Sequence, residues 1–205
     1  MTYKWPKEEK GTYLPKAKPE LITVPSYQFF TLKGQGNPNG EEFTERIQTL
    51  YALSYAVRMM PKQGYMPEEY IEYVVYPLEG VWDLTEEGRK AEELDKDELV
   101  YTIMIRQPGF VNDDVVDRAF ESVRKKKNLP LLDEVQFETI EEGQCVQMLH
   151  IGPFDTEAET FAQMDAFVAE QGLSRKSLLH REIYLSDMRR VTPDKLKTVL
   201  RYQVH

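Results

Sequence analysis

The distribution of apolar and polar residues switches between two periods along the chain, and its clearest stretch lies near the end. His180, Glu182 and Tyr184 alternate with Arg181, Ile183 and Leu185, as side chains do on the two faces of a strand. From Lys195 to Val204, Leu196, Thr198, Leu200, Tyr202 and Val204 alternate against Lys197, Val199, Arg201 and Gln203. Thr192-Pro193-Asp194 supplies turn chemistry between the two runs, which together predict a hairpin. One face of its first arm carries a carboxylate between an imidazole and a phenol. Periodicity alone reads that face as open to water.

Earlier segments follow the same logic. Residues 1–20 hold Pro6, Pro15 and Pro19 among Lys and Glu and read as a solvated lead-in. Leu21 to Lys33 reads as a strand broken or bulged at Pro25, closed by a loop from Gly34 to Gly40 that has neither nucleotide-binding spacing nor a lysine. Glu41 to Met60 predicts a helix with Phe43, Ile47, Leu50, Ser54 and Val57 in one stripe and Tyr51 and Tyr55 as an i, i+4 pair beside it. A β segment from Ile71 to Trp82, a polar insertion from Thr85 to Asp97 and a strand from Leu99 to Gln107 follow. Asn112 or Asp113 caps a helix over about 113–127, whose terminal Lys125 to Lys127 complement its dipole. Strands at 135–139 and 145–151, then a helix capped by Asp155 and ended by Gly172, lead into the hairpin.

Strand, helix, strand, strand therefore occurs over about 21–107 and again over about 133–205, which predicts a tandem duplication. The expected fold is α+β: two β-α-β-β units, each with its own antiparallel sheet, related by a pseudo-two-fold axis with a central groove between them. Glu79 and Glu182 fall at equivalent positions of the two halves. Glu79 suits a solvated turn as well as a groove.

Composition narrows the partners. The 205 residues are 41% hydrophobic and 30% charged, enough for a sizeable core. A net charge of -9 argues against nucleic acid, and no run approaches a membrane span. The lone Cys145 sits in an apolar strand pattern and reads as core; with three histidines and no paired ligand spacing, neither a metal nor another cofactor is expected. The first residues carry no apolar leader, so the expected location is the cytoplasm.

The motifs PLEGVW (77–82), YTIMIRQPGFV (101–111), FETIEEGQCVQMLHIGPFD (137–155), HREIYLSDMR (180–189) and KLKTVLRYQV (195–204) resemble those of the GyrI-like small-molecule-binding family over nearly the whole chain. The segments PLEGVW and LYALSYAVRMM are similar to a stand-alone subfamily that hydrolyses the cyclopropane of cyclopropanoid DNA-alkylating compounds. The resemblance implies a small planar, hydrophobic or cationic ligand held in an aromatic cage beside the Glu of the E-I-Y strand, here Glu182. Trp82, Tyr55, Tyr184 and Phe137 match the cage best, with Tyr51 and Tyr101 further members. Asp83 stands where the family often has a second bulky aromatic. Under this reading Glu182 orients or deprotonates water, and Tyr184 donates to the ligand oxygen that gains charge or walls the cage. His180 shares their face and joins the ligand-binding set, although a histidine at a strand start is more often structural. The alternatives are a binding or sensing protein without turnover and a gyrase-inhibitor-like interaction protein. The oligomeric state is left open.

Overall fold

Pro25 has no N–H to give a ladder, and the apolar run that begins at Leu21 divides there into two strands with different partners. In the computed structural model, which describes residues 2–187 and 190–205, the elements are α1 (Trp5–Glu8), α2 (Lys10–Tyr13), β1 (Glu20–Val24), β2 (Tyr27–Gln35), α3 (Glu41–Met59), β3 (Leu78–Leu84), β4 (Leu99–Gln107), α4 (Asp113–Lys126), β5 (Gln136–Ile140), β6 (Gly143–Ile151), α5 (Glu157–Glu170), β7 (His180–Tyr184) and β8 (Lys197–Gln203). Met188 and Arg189, the last two residues of the HREIYLSDMR motif, lie outside the described residues. The fold is α+β, and the strand ladders within each of two compact units are antiparallel. Among the described residues no helix is long and apolar enough to cross a membrane.

The first unit holds residues up to Lys4, Tyr27–Leu78 and Leu84–Ile140. Its central strand β2 lies between β4 and β5, and Phe29, Phe30, Thr31 and Leu32 are all buried in succession, so both faces are covered. Phe30 meets Phe137 of β5 and Phe120 of α4, with ring centroids 5.5 and 6.2 Å apart. α3 packs on β2 and β4 and against α4, burying Phe43, Leu50, Leu53, Ser54 and Val57. The buried Ser54 hydroxyl is used twice: it donates to the Leu50 carbonyl and accepts from Gln107. Asn112 caps α4 by accepting from the Val115 N–H, and Arg124, Lys125 and Lys126 close its last turn. The expected β segment from Ile71 starts later: Tyr73 makes one bridge to Tyr3, and the continuous strand begins after Pro77.

The second unit holds Trp5–Ser26, Glu79–Asp83 and Glu141–His205, with strand order β1-β6-β8-β7-β3. Its core is Val146, Met148, Met164, Val168, Leu200, Tyr202 and Val204, with Phe161, Phe167 and Leu173 against it. The contiguous halves expected from the sequence are therefore interleaved: β1 and the Glu79–Asp83 part of β3 belong with the later strands, β5 with the earlier ones. Nor are the first twenty residues solvated throughout. Tyr13 is buried with its hydroxyl 3.4 Å from Glu79, Gln147 donates to the Gly11 carbonyl and Arg201 to that of Thr12. Asp155 does not cap α5; the helix begins at Glu157 after a short 3-10 turn, and Gly172 at φ 68 ends it. Cys145 is fully buried in β6, and burial pushes its thiol up to about 12, as fits a core residue.

A buried charge network holds these strands in register. Arg181 of β7 donates to Glu79 of β3 at 2.7 Å and to Glu142 at 2.8 Å, and Arg201 of β8 donates to Glu142 at 2.9 Å and to Gln147. Burial pushes Glu79 above its usual value, with Arg181 and Arg201 opposing; at Glu142 the same two guanidiniums overcome burial and hold the carboxyl low. Glu79 is thus neither a solvated turn residue nor free to face a ligand. Arg181→Leu leaves two buried carboxylates without their shared guanidinium and is expected to cost about 3–5 kcal/mol in denaturant unfolding. A loss under about 1 kcal/mol would show that the network is not a structural tie.

Candidate functional site

The β3–β7 register places Gly80 opposite Glu182 and Trp82 opposite His180. The alternation along β7 sends Arg181 into the charge network and turns His180, Glu182 and Tyr184 the other way. There the Glu182 carboxylate accepts from the Tyr184 hydroxyl at 2.8 Å on one oxygen and lies 3.0 Å from His180 Nε2 on the other. Trp82 Nε1 donates to the Tyr184 oxygen at 2.8 Å. A carboxylate acceptor requires the His180 tautomer with its hydrogen on Nε2.

Gly80 makes this chain of bonds possible. A Cβ on it would come within 2.7 Å of Trp82 Nε1 and 3.2 Å of the Tyr184 hydroxyl, so both side chains close over the space that a larger residue would fill. Aromatic rings surround the group: Phe161 meets His180 edge-on at 4.9 Å, and Phe154 meets Tyr184 edge-on at 6.0 Å.

A second carboxyl lies close enough to Glu182 to feel its charge. Glu157, in the first turn of α5, is buried, and among the described residues its Oε1 has no hydrogen-bond partner. Burial first, then repulsion from Glu182 and Asp155, push it up to about 9, so it carries a proton at neutral pH. A helix N-terminus favours the anion, but by at most about 2 kcal/mol. Keeping the proton to about 9 instead of 4.5 corresponds to about 6 kcal/mol, so desolvation and the neighbouring carboxylate win. Burial and Glu182 also raise the Tyr184 hydroxyl well above its ordinary value, which keeps it a donor.

Of the residues singled out in the sequence, the structure joins Glu182, Tyr184, His180 and Trp82 by direct hydrogen bonds. The other four lie in the first unit. Tyr101 is buried edge-on to Phe43 at 5.0 Å, over the space left by Gly34, and serves as core. Phe137 packs on Phe30, and Tyr51 and Tyr55 face each other at 6.3 Å with Tyr55 half exposed. The role of Tyr184 as a donor to ligand changes, because its one hydroxyl proton is directed to Glu182. Sequence reasoning missed Glu157, Phe154 and the ring contact of Phe161 with His180. A glutamate in the first turn of a helix is the ordinary choice there, and nothing in its spacing distinguishes this one.

Comparison with known proteins adds the family. Residues 17–204 match the model of the GyrI-like small molecule binding domain. A hydrolase from Listeria innocua is 40% identical with a TM-score of 0.92, and an uncharacterized conserved protein from Listeria innocua is 41% identical with a TM-score of 0.91; each match covers 100% of both chains. The C-terminal domain of EcmrR, 12% identical with a TM-score of 0.52 over 92% of this chain and 97% of that one, shares the fold. No curated protein matches the sequence.

The buried Glu157 gives stability a pH dependence of definite sign. Folding raises its pKa from 4.5, so its contribution is fully present below about 4.5 and is lost as pH climbs through about 9. Glu157→Gln keeps the shape of the protonated acid and has no proton to lose. The difference in unfolding free energy between wild type and Glu157→Gln should therefore change across that window by up to about 1.4 kcal/mol per pH unit, in favour of the variant at high pH. Parallel stability curves would mean that Glu157 ionises normally.

Proposed function

Because the chain belongs to the GyrI-like small-molecule-binding family, we propose that it binds planar hydrophobic or cationic compounds against the Glu182 face of β7 and hydrolyses the cyclopropane of cyclopropanoid alkylators there. The observation that carries this reading is the Glu182 carboxylate, fixed from both sides by Tyr184 and His180 and set among the rings of Trp82, Phe154 and Phe161. The hydrolase description of the Listeria innocua relative supports a reaction of that class.

In such compounds the cyclopropane is conjugated to a dienone. A water oxygen bonds to the strained CH₂, the ring C–C bond breaks, and its electron pair passes into the dienone to leave a phenolate. Glu182 takes the proton lost by the water, and the phenolate is protonated from solvent. The aromatic rings stack on the flat ligand and fix the near-attack geometry. Tyr184 acts through Glu182: Trp82 holds the Tyr184 oxygen, and its proton holds the carboxylate.

Binding without turnover is the second reading. Both Glu182 oxygens already have hydrogen-bond partners, which fixes the carboxylate and suits a counter-charge for a cation.

Incubation with a cyclopropanoid alkylator should yield, by mass spectrometry, a product heavier by one water. Glu182→Gln should fold and still bind but lose about 100-fold or more of that rate. Unchanged turnover in the folded variant would remove Glu182 from the chemistry, whereas binding by wild type with no product would establish the second reading.

Trp82 and Trp5 are the two tryptophans of the chain, which makes ligand contact separable by fluorescence. An aromatic ligand should quench the emission of wild type and of Trp5→Phe, and Trp82→Phe should abolish most of the quenching. Quenching that survives Trp82→Phe and disappears in Trp5→Phe would place the ligand elsewhere.

A further inference from the structure

We propose that Glu157 is a second, proton-bearing acid of the Glu182 site, and that a planar organic cation binding there displaces its proton, so that one proton leaves for each cation that enters. The inference rests on the small-molecule reading above and adds what that reading lacks, a means of telling cations from neutral molecules of the same shape.

Geometry supports it first. Glu157 is only 8% exposed, and its Oε1 has no hydrogen-bond partner among the described residues, an uncommon condition for a buried carboxyl oxygen. Its electrostatic neighbours are Glu182 on β7 and Asp155 just before α5, and it acts in turn on Tyr184. His180 faces the group through Glu182. Among the described residues the charges that act on the Glu157 carboxyl are themselves carboxylates, in contrast to Glu79 and Glu142, which have Arg181 and Arg201.

Two carboxylates brought together out of water, with no guanidinium or ammonium acting on Glu157 among the described residues, cannot both ionise cheaply, so the free site keeps one proton. A cation seated against the rings of Phe154, Phe161, Trp82 and Tyr184 supplies the missing charge. Glu157 then ionises, its proton goes to solvent, and the site gains a second counter-charge. A neutral ligand of the same shape makes the ring contacts but provides no reason for the proton to leave. Between pH 4.5 and about 9 the affinity for the cation should therefore rise about tenfold per pH unit, while that for the neutral molecule stays flat.

The probes are N-methylacridinium, permanently charged, and acridine, nearly the same shape and neutral above its own pKa. Calorimetric titration of the whole chain in phosphate and in Tris, slightly above neutral pH, reads proton release from the difference in apparent enthalpy. Wild type should release about one proton per N-methylacridinium and none with acridine, and Glu157→Gln should bind the cation more weakly and release none. Cation binding by wild type without proton release overturns the inference and leaves the small-molecule reading intact. Full release in Glu157→Gln also overturns it, placing the proton on another group. If neither probe binds wild type, the small-molecule reading fails, and this inference fails with it. Should the variant not fold, the two-buffer comparison on wild type decides alone.

Discussion

The buried guanidinium of Arg181 is the constraint on which the rest of the second unit depends. It bridges Glu79 and Glu142, Arg201 takes the other oxygen of Glu142, and the two positive and two negative side chains balance. Removing any one charge from water costs several kcal/mol, and only the full set of short, well-directed bonds offsets that. The network can be satisfied in one register of β3 against β7, since a slip of one residue would send Arg181 to the opposite face. That register sets Gly80 against Glu182 and Trp82 against His180. The geometry of the candidate site is thus fixed from behind, by a network that need touch no ligand.

The two faces of β7 show how environment decides the behaviour of the same chemical group. Glu142, although buried, is held low because two guanidiniums reach it. Glu157, similarly buried, is pushed up to about 9 because, among the described residues, the charges that act on it are Glu182 and Asp155. Burial penalises both anions alike, and the sign of the neighbouring charge settles the outcome. One carboxyl becomes part of the scaffold, and the other becomes an acid that holds its proton at neutral pH.

Much of this was legible in the sequence, for physical reasons that also explain what was not. Period-two alternation puts His180, Glu182 and Tyr184 on one face whatever the rest of the chain does, and the PLEGVW match brings Trp82 to them. Gly80, printed in the same motif, gains its meaning only with the register, which places it under the Trp82–Tyr184 bond. The ladder of β1 with β6 was hidden, because alternation identifies a strand but says nothing of its partner. The docking of residues 5–13 was hidden too, since it uses backbone carbonyls of Gly11 and Thr12 that no composition reveals. Tyr101 and Phe137 matched the cage by residue type, and the ring contacts they make, with Phe43 and Phe30, are of a kind no motif reveals.

The position of Tyr184 then bears on which chemistry the site can favour. A phenol that gives its only proton to Glu182 and takes one from Trp82 cannot also serve a developing phenolate without breaking a bond at 2.8 Å. Its contribution is to fix the direction of the carboxylate, so that little reorganisation is needed when charge arrives. A carboxylate held in this way is well placed. For a strained cyclopropane already primed by its dienone, placement of the water matters more than the strength of the base that takes its proton. The rigidity that fixes Glu182 for a water also suits a positive charge, so in the proposed function cation binding and ring-opening draw on one arrangement of side chains.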